Sequence, residues 1–419
     1  MKQLTGLTGL LLFATALSGQ TRYDLLLKGG HVIDPANNVN AVMDVAIAAG
    51  KIARVAAGIP AAEARQVVDA NGLFVTPGLV DIHVHAYAGT GMRGAYSGDN
   101  SLYPDGFTFR SGVTTVVDAG GAGWRNFADF KDRVIDRSKT RVLAMVNIVG
   151  RGMGGGAIEQ NPEDMDAAAT AKVARQYPET IVAIKTAHFA APEWVAVDRA
   201  IEAGKLVGLP VMVDFGTPWP NRSFEQLISD HLRPGDISTH MYQGLQPLVD
   251  HKGKVLSYLL AARTRGVRFD LGHGGGSFVW NEAIPAIRDG WVPDTISTDL
   301  HASSVNAGMK DMVTTMSKVL SLGVPLADVI RMSTLNAAVS IRRTDIGTLR
   351  PGAGADVAVL RLDKGKFGYQ DARGARLTGS QKLVCEMTLR DGKVVWDLNG
   401  RGGEEWDKYY ARPENRRAR

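Results

Sequence analysis

Eight short apolar runs recur along the middle of the chain, most of them followed by a stretch long enough for a helix. They are Leu79–His83, Val113–Asp118, Val142–Ile148, Ile181–Lys185, Pro210–Phe215, Asp236–His240, Val267–Leu271 and Asp294–Thr298. Apolar runs of this length read as strands. The stretches between them, such as Asp164–Gln176 and Pro192–Gly204, have the composition of amphipathic helices. Alternation of this kind predicts an α/β fold, a (β/α)8 TIM barrel rather than an open sheet. A further helix is expected over Pro325–Ile341. No internal repeat with a period of about 20–50 residues competes with that reading.

The two ends have a different texture. Asp24–Asp34 reads as a strand, a Gly29-Gly30 turn and a second strand, and Val42–Ile47 and Lys51–Val55 flank Ala49-Gly50 as a hairpin. Near the other end, Asp356–Leu360 is one strand, and Lys382–Leu389 with Lys393–Trp396 form a hairpin around Asp391-Gly392. These segments predict a small β-sandwich built from both ends, residues 22–75 and 345–398. The barrel occupies 76–344, and 399–419 is a basic tail.

Composition narrows the class. With 45% hydrophobic and 22% charged residues, the 419-residue chain has the make-up of a globular protein. Part of the net charge of +5 sits at the very end, in Arg412, Arg416, Arg417 and Arg419. No basic stripe interleaved with aromatics accompanies it, so no nucleic-acid partner is expected. The single cysteine, Cys385, permits neither an internal disulfide nor a cysteine-based zinc site. Lys2, the apolar run Leu10–Leu17 and the small residues Ala16 and Ser18 have the pattern of a secretory signal over residues 1–19. That run is too short to span a bilayer comfortably, so the expectation is export, periplasmic or extracellular, with no stable membrane anchor.

The chemistry sits at the ends of the strands. His83 and His85, Lys185, Asp214, His240, His273 and Asp299 each follow an apolar run that has no other use for a polar group. In a barrel, the carboxyl ends of the strands build the active site. His83-Val84-His85 has period-two spacing, which turns both imidazoles to one side of a strand as a metal ion requires. The glycine stretches Gly150–Gly156 and Gly272–Gly276 lack the Gly-Lys-Ser/Thr of a phosphate loop. They are expected to let backbone approach a substrate closely.

Pro77-Gly78-Leu79-Val80-Asp81-Ile82-His83-Val84-His85 resembles the first-strand motif of the amidohydrolase superfamily. Gly112–Gly120, Ile184-Lys185, Thr239-His240, Phe269–Gly274 and Ile296–His301 are similar to its deacetylase-like, dihydroorotase-related branch. The resemblance implies two divalent metal ions, zinc, held by His83, His85, Lys185, His240 and Asp299. It also implies that Lys185 is carboxylated by CO2 to a bridging carbamate, and that Asp299 is the catalytic acid and base. In that family a histidine ends the fifth strand, whereas this chain has Asp214, a permitted ligand type that changes the charge of the second site. His273 is assigned to substrate binding, with a metal role as the alternative. Arg93 and Arg151, in the first and third strand-end loops, are candidates for holding a substrate carboxylate. Ala86-Tyr87 stand where dihydroorotase-like enzymes have an arginine, which argues against dihydroorotate as substrate.

The function these features imply is metal-assisted hydrolysis of an amide in a small molecule such as an N-acylated amino acid. An esterase of acylated hydroxy acids and a catalytically impaired metal-binding protein are the alternatives, and a homo-oligomer is left open. The export reading has a direct check: mass spectrometry of the protein from its native host should place the N-terminus between about Ser18 and Arg22. An intact Met1 on the mature protein would refute it.

Overall fold

The computed structural model describes residues 21–415. The expected secretory segment therefore lies outside the described residues, as do Arg416, Arg417 and Arg419. Among the described residues no helix is long and apolar enough to cross a membrane.

The ends of the chain pair first. Strands β1 (Tyr23–Asp34), β2 (Val39–Ala48), β3 (Lys51–Ala56), β4 (Ala64–Asp69) and β5 (Phe74–Pro77) come from the amino-terminal side. They join β13 (Val357–Gln370), β14 (Arg376–Arg390) and β15 (Lys393–Asp397) in one sheet of order β15-β14-β13-β5-β1-β2-β3, with β4 also on β1. The expected sandwich is thus, in its hydrogen bonding, one continuous eight-stranded sheet. Strand β5 links the two ends, parallel to β1 and antiparallel to β13.

Both expected two-residue hairpin turns are present. Ala49-Gly50 and Asp391-Gly392 have φ of 49°, 74°, 48° and 74°, the left-handed pair that a tight hairpin needs. The Gly29-Gly30 turn is not there. β1 runs straight through, and its register against β2 shifts between Leu27 and Gly30. The glycines form a bulge instead: Gly29 has φ 74° and donates its N–H to Asp44 Oδ1 at 2.7 Å.

The middle of the chain builds a curled parallel sheet in sequential order: β6 (Leu79–Val84), β7 (Val113–Gly123), β8 (Arg141–Asn147), β9 (Ile181–Thr186), β10 (Val211–Val213), β11 (Ile237–Ser238) and β12 (Arg268–Phe269). Every residue of β6, β7, β9 and β10 is buried. That burial explains why these strands read as unbroken apolar runs without polar alternation. The eighth expected strand is not a regular strand. Residues 295–300 pair through isolated parallel bridges, Asp270 with Thr295 on one edge of the sheet and Val84 with Leu300 on the other. Leu271 N donates to Thr295 O at 3.0 Å and His85 N to Leu300 O at 2.8 Å.

Helices cover this sheet, with boundaries set by local chemistry. The first expected helix spans Ala167–Gln176, because Asp166 accepts the Ala169 N–H and caps it. The second spans Val195–Val207 and passes through Gly204, since Gly208 (φ 68°) supplies the left-handed cap. Pro325–Ile341 is two helices, Leu326–Met332 and Leu335–Ser340. Between them the Ser333 and Thr334 hydroxyls donate back to Val329 O and Ile330 O at 3.0 and 2.6 Å, and the backbone breaks. Val80, Ile82, Val117, Met145 and Met212 of the sheet pack in one cluster with Ala337, Ala338 and Ile341. The tail carries a short helix, Trp406–Ala411, after Arg401 has paired with buried Glu386 at 3.1 Å.

Phe130, fully buried between Tyr87 and Phe127, anchors the helix Phe127–Arg133 beside β7. Phe130→Ala should destabilise the fold by about 3–5 kcal/mol, the usual range for an aromatic emptied from a core. A urea midpoint unchanged from wild type would show that this contact is dispensable.

Candidate active site

His83 lies in β6 and His85 just beyond it, 1% and 2% exposed. His83 Nδ1 is 2.9 Å from Thr239 Oγ1, and that hydroxyl donates to Asp270 Oδ2 at 2.8 Å. A threonine whose proton goes to the carboxylate can only accept from the ring. His83 therefore carries its proton on Nδ1 and presents a bare Nε2. Asp270 also accepts the hydroxyls of Thr295 and Ser297 at 2.6 and 2.7 Å, so its charge is well solvated. Burial, helped by the charge of Lys185, lowers the His83 pKa to about 3. Burial likewise lowers His85, against the pull of Asp299. Both rings are neutral, as ligands must be.

Asp299 comes from the 295–300 segment that bridges the two edges of the sheet. Its Oδ1 is 2.9 Å from His85 Nε2 and 3.6 Å from His83 Nε2. Burial works against its charge, yet the His83, His301 and His85 rings hold it well below the usual carboxylate range. The donor atoms of His83, His85 and Asp299 all lie within 4.8 Å of one another, a cluster compatible with a metal ion. Two of their buried atoms, Asp299 Oδ1 and His85 Nδ1, have no hydrogen-bond partner. A buried carboxylate oxygen beside the bare His83 Nε2 and the His85 ring is what a cation would resolve, so the residues fit the ion that the motif implies.

Lys185, in β9, is fully buried, with Nζ 3.4 Å from His83 Nε2 and 3.5 Å from Met212 Sδ. Burial lowers its pKa despite the surrounding carboxylates, favouring the neutral amine. Asp214 directly follows β10, and its Oδ2 is 3.4 Å from His240 Nε2. His240 Nδ1 donates to Gly272 O at 2.6 Å, which aims the other nitrogen at the site. Burial would raise Asp214, but His240 and His188 hold it well below its usual range. The structure thus brings together His83, His85, Lys185, Asp214, His240 and Asp299. Of these, His240 and Asp299 have left-handed backbones, φ 60° and 48°, as does the neighbouring His188 at 59°. Such conformations in non-glycine residues gather at functional sites, where the surroundings over-determine them.

Three expected residues are elsewhere. His273 is fully buried behind the site, stacked on Phe278 at 4.7 Å, with Nε2 2.5 Å from Lys318 Nζ. Lys318 also donates to Gly308 O and Gln370 O at 2.8 and 2.6 Å, so the pair fastens the strand-end loop to the rest of the fold. Arg93 is exposed and does not line the cavity. Arg151 is exposed and lines a separate depression with Arg125 and Asp164. The loop geometry that displaces both arginines is long-range and left no trace in their local sequence.

The cavity over the site is about 580 Å³. His85, His188, Asp214, His240, Asp299 and His301 line it, together with Tyr96 and the apolar Met153, Phe215 and Leu245. Among the described residues, no lysine or arginine does. Tyr96 is a residue that sequence reasoning missed. Its ring sits 4.6, 5.1 and 5.6 Å from those of His85, His301 and His188. Burial and then Asp299 push its hydroxyl up to about 12, so it remains a proton donor. His188, also missed, bridges buried Glu159 and Asp214. Only its place three residues after Lys185 hinted at the site. His301 does reach the cavity, its Nδ1 2.7 Å from Asp299 O. Of the second glycine stretch, Gly275 and Gly276 line the cavity, and Gly274, at φ 53°, leaves no room for a Cβ because Asp299 Oδ2 occupies that space.

Comparison with known proteins is consistent with this geometry. The sequence profile described as the amidohydrolase family matches residues 279–395. A deacetylase of Agrobacterium fabrum is 34% identical over 336 residues, 78% of this chain and 79% of that protein. The structure of an adenine deaminase superposes with a TM-score of 0.80 at 27% identity, covering 90% of this chain and 100% of that one. A dihydroorotase structure gives 0.77 at 28% identity, covering 89% and 99%.

The Gly274 contact carries a prediction. Gly274→Ala should displace Asp299 without altering any of the histidines, lowering turnover by about 100-fold, the usual scale for a displacement of about 1 Å. Wild-type turnover in that variant would mean that Asp299 is not held from this side.

Proposed function

The chain belongs to the amidohydrolase family, hydrolases of carbon–nitrogen bonds, and from that premise we propose that it is a two-metal deacylase of a small N-acylated molecule. The deacetylase named among its relatives supports the acyl group, and the cavity of about 580 Å³ suits a small substrate. We read the curled sheet with residues 295–300 as a closed (β/α)8 barrel, and the sheet of both chain ends as a β-sandwich beside it. The observation that carries the proposal is the buried, unpartnered Asp299 Oδ1 facing two neutral imidazoles.

In this reading His83, His85 and Asp299 hold one divalent ion, and Asp214 and His240 hold the second. Lys185, as its CO2 adduct, would add carboxylate oxygens to this set. Three imidazole nitrogens among carboxylate oxygens form a donor set that zinc accepts. The ions would supply Lewis acidity to the carbonyl and acidity to the attacking water. The protein supplies the rest. Thr239 and Asp270 fix the tautomer of His83. Asp299, held as a carboxylate, takes a proton from the attacking water at the oxygen that the ion leaves free and returns it to the leaving nitrogen. Tyr96 keeps its proton and can donate a hydrogen bond to a polar substrate atom in the cavity. Met153, Phe215 and Leu245 offer an apolar wall for the rest of the molecule.

Asp299→Asn tests the proton-transfer role. Compared at the metal content of the wild type, the variant should lose at least about two orders of magnitude in kcat, the scale of general acid–base catalysis. A kcat near that of wild type would exclude Asp299 as the proton carrier.

A further inference from the structure

The ligand set above does not use His188, yet both of its ring nitrogens have a carboxylate neighbour. Its Nδ1 lies 2.8 Å from Glu159 Oε2 and its Nε2 3.3 Å from Asp214 Oδ2. Glu159 is only 2% exposed, and its other oxygen accepts the Gly155 N–H at 2.7 Å. That carboxylate is therefore anchored independently of His188. Gln160 secures the backbone: its Nε2 donates to His188 O and its Oε1 accepts the Ala190 N–H, both at 2.8 Å. A histidine at φ 59° is uncommon and persists only where its surroundings impose it. Here the surroundings are a glutamate and an aspartate that meet the imidazole and a glutamine that holds the backbone.

The far end of this chain of contacts is the informative one. Asp214 Oδ2 lies between two imidazole nitrogens, 3.3 Å from His188 Nε2 and 3.4 Å from His240 Nε2. Each ring is tied at its outer nitrogen, His188 to Glu159 and His240 to the Gly272 carbonyl. His240 belongs to the strand-end set. His188 comes from the loop after β9 and reaches Asp214 from the cavity side. A carboxylate on a short side chain has two rotatable bonds and no preferred direction of its own. Something must orient it if it is to hold an ion, and metal-ligating groups are commonly oriented by a hydrogen-bonded partner behind them.

We propose that Glu159 and His188 are positioning residues for Asp214, turning its carboxylate toward His240 so that it can hold the second ion. The inference rests on Asp214 being a ligand of that ion, as read above. Glu159 fixes the ring of His188, His188 donates its Nε2–H to Asp214 Oδ2, and the remaining lone pairs of the carboxylate face the site.

The test measures metal binding, not turnover. Full-length protein is stripped with a chelator and titrated with zinc against a competing indicator, and with cobalt(II) to follow the absorption of the bound ion. His188→Asn keeps a residue that tolerates the left-handed backbone but is too short to reach Asp214. It should weaken the second ion by about 10–100-fold, the usual effect of losing an orienting partner, and leave the first unchanged. Glu159→Gln should act in the same direction, and it carries the test if His188→Asn does not fold. The decisive comparison is in an Asp214→His background, where no carboxylate needs to be turned. There His188→Asn should change the second affinity by no more than about twofold, the ordinary scatter between independent sites. An equal loss in that background would mean that His188 acts on the ion itself, and would overturn the positioning role. So would unchanged second-site affinity in both His188→Asn and Glu159→Gln. If Asp214→Ala binds two ions as wild type does, the ligand reading of Asp214 has failed instead.

Discussion

The site depends on a seam between β6 and residues 295–300. Asp81, deep in β6, accepts the Thr298 N–H at 3.0 Å and the Thr298 hydroxyl as well, joining residues 217 positions apart. Three residues on, Val84 bridges Leu300, and His85 N donates to Leu300 O at 2.8 Å. A buried carboxylate is tolerable only when it is hydrogen-bonded. Burial lifts Asp81 to about 7, with the Thr298 bonds pulling the other way. Asp299 follows Thr298 directly, and His83 and His85 follow Asp81 at period two. Aligning the seam therefore also sets the 2.9 Å approach of Asp299 to His85.

Behind the seam, buried carboxylates are hydrogen-bonded. Asp118 accepts Ala86 N and Gly121 N at 2.7 and 2.6 Å, and Asp270 accepts three hydroxyls. These bonds leave little freedom to the groups in front of them. Thr239 decides the tautomer of His83, and the Gly272 carbonyl decides that of His240. Asp299 Oδ1 and His85 Nδ1 are buried without partners in the midst of these satisfied groups. In a low-dielectric interior an unpaired polar atom is expensive, so its persistence beside neutral imidazoles is a functional signal.

The left-handed residues extend the same logic to the backbone. His188, His240 and Asp299 each adopt a conformation that asparagine or glycine would accept more readily. Each is over-determined by its neighbours: His188 by Glu159 and Gln160, His240 by Gly272, Asp299 by the space that Gly274 leaves open. Stability stored in the surrounding sheet and its helices holds the strained positions in place.

Much of this was legible in the order of residues. Period-two spacing announced the paired histidines, and the polar residues closing successive apolar runs marked Lys185, Asp214, His240 and Asp299. Local turn chemistry announced the two hairpins at Ala49-Gly50 and Asp391-Gly392. These are short-range properties, decided by pleat geometry and φ preferences within a few residues. Tertiary structure decided the rest. The Gly29-Gly30 pair can make a turn or a bulge, and pairing with β2 selected the bulge. Pro325–Ile341 has the periodicity of one helix, yet two hydroxyls split it. His273 has the same strand-end placement as the site residues, but its ring turned away to Lys318, which lies 45 residues further on. Arg93 and Arg151 went to the surface. His188 and Tyr96 came to the cavity, and Glu159 to a place behind His188, without any periodic pattern, because their paths follow from long-range contacts that no local spacing encodes.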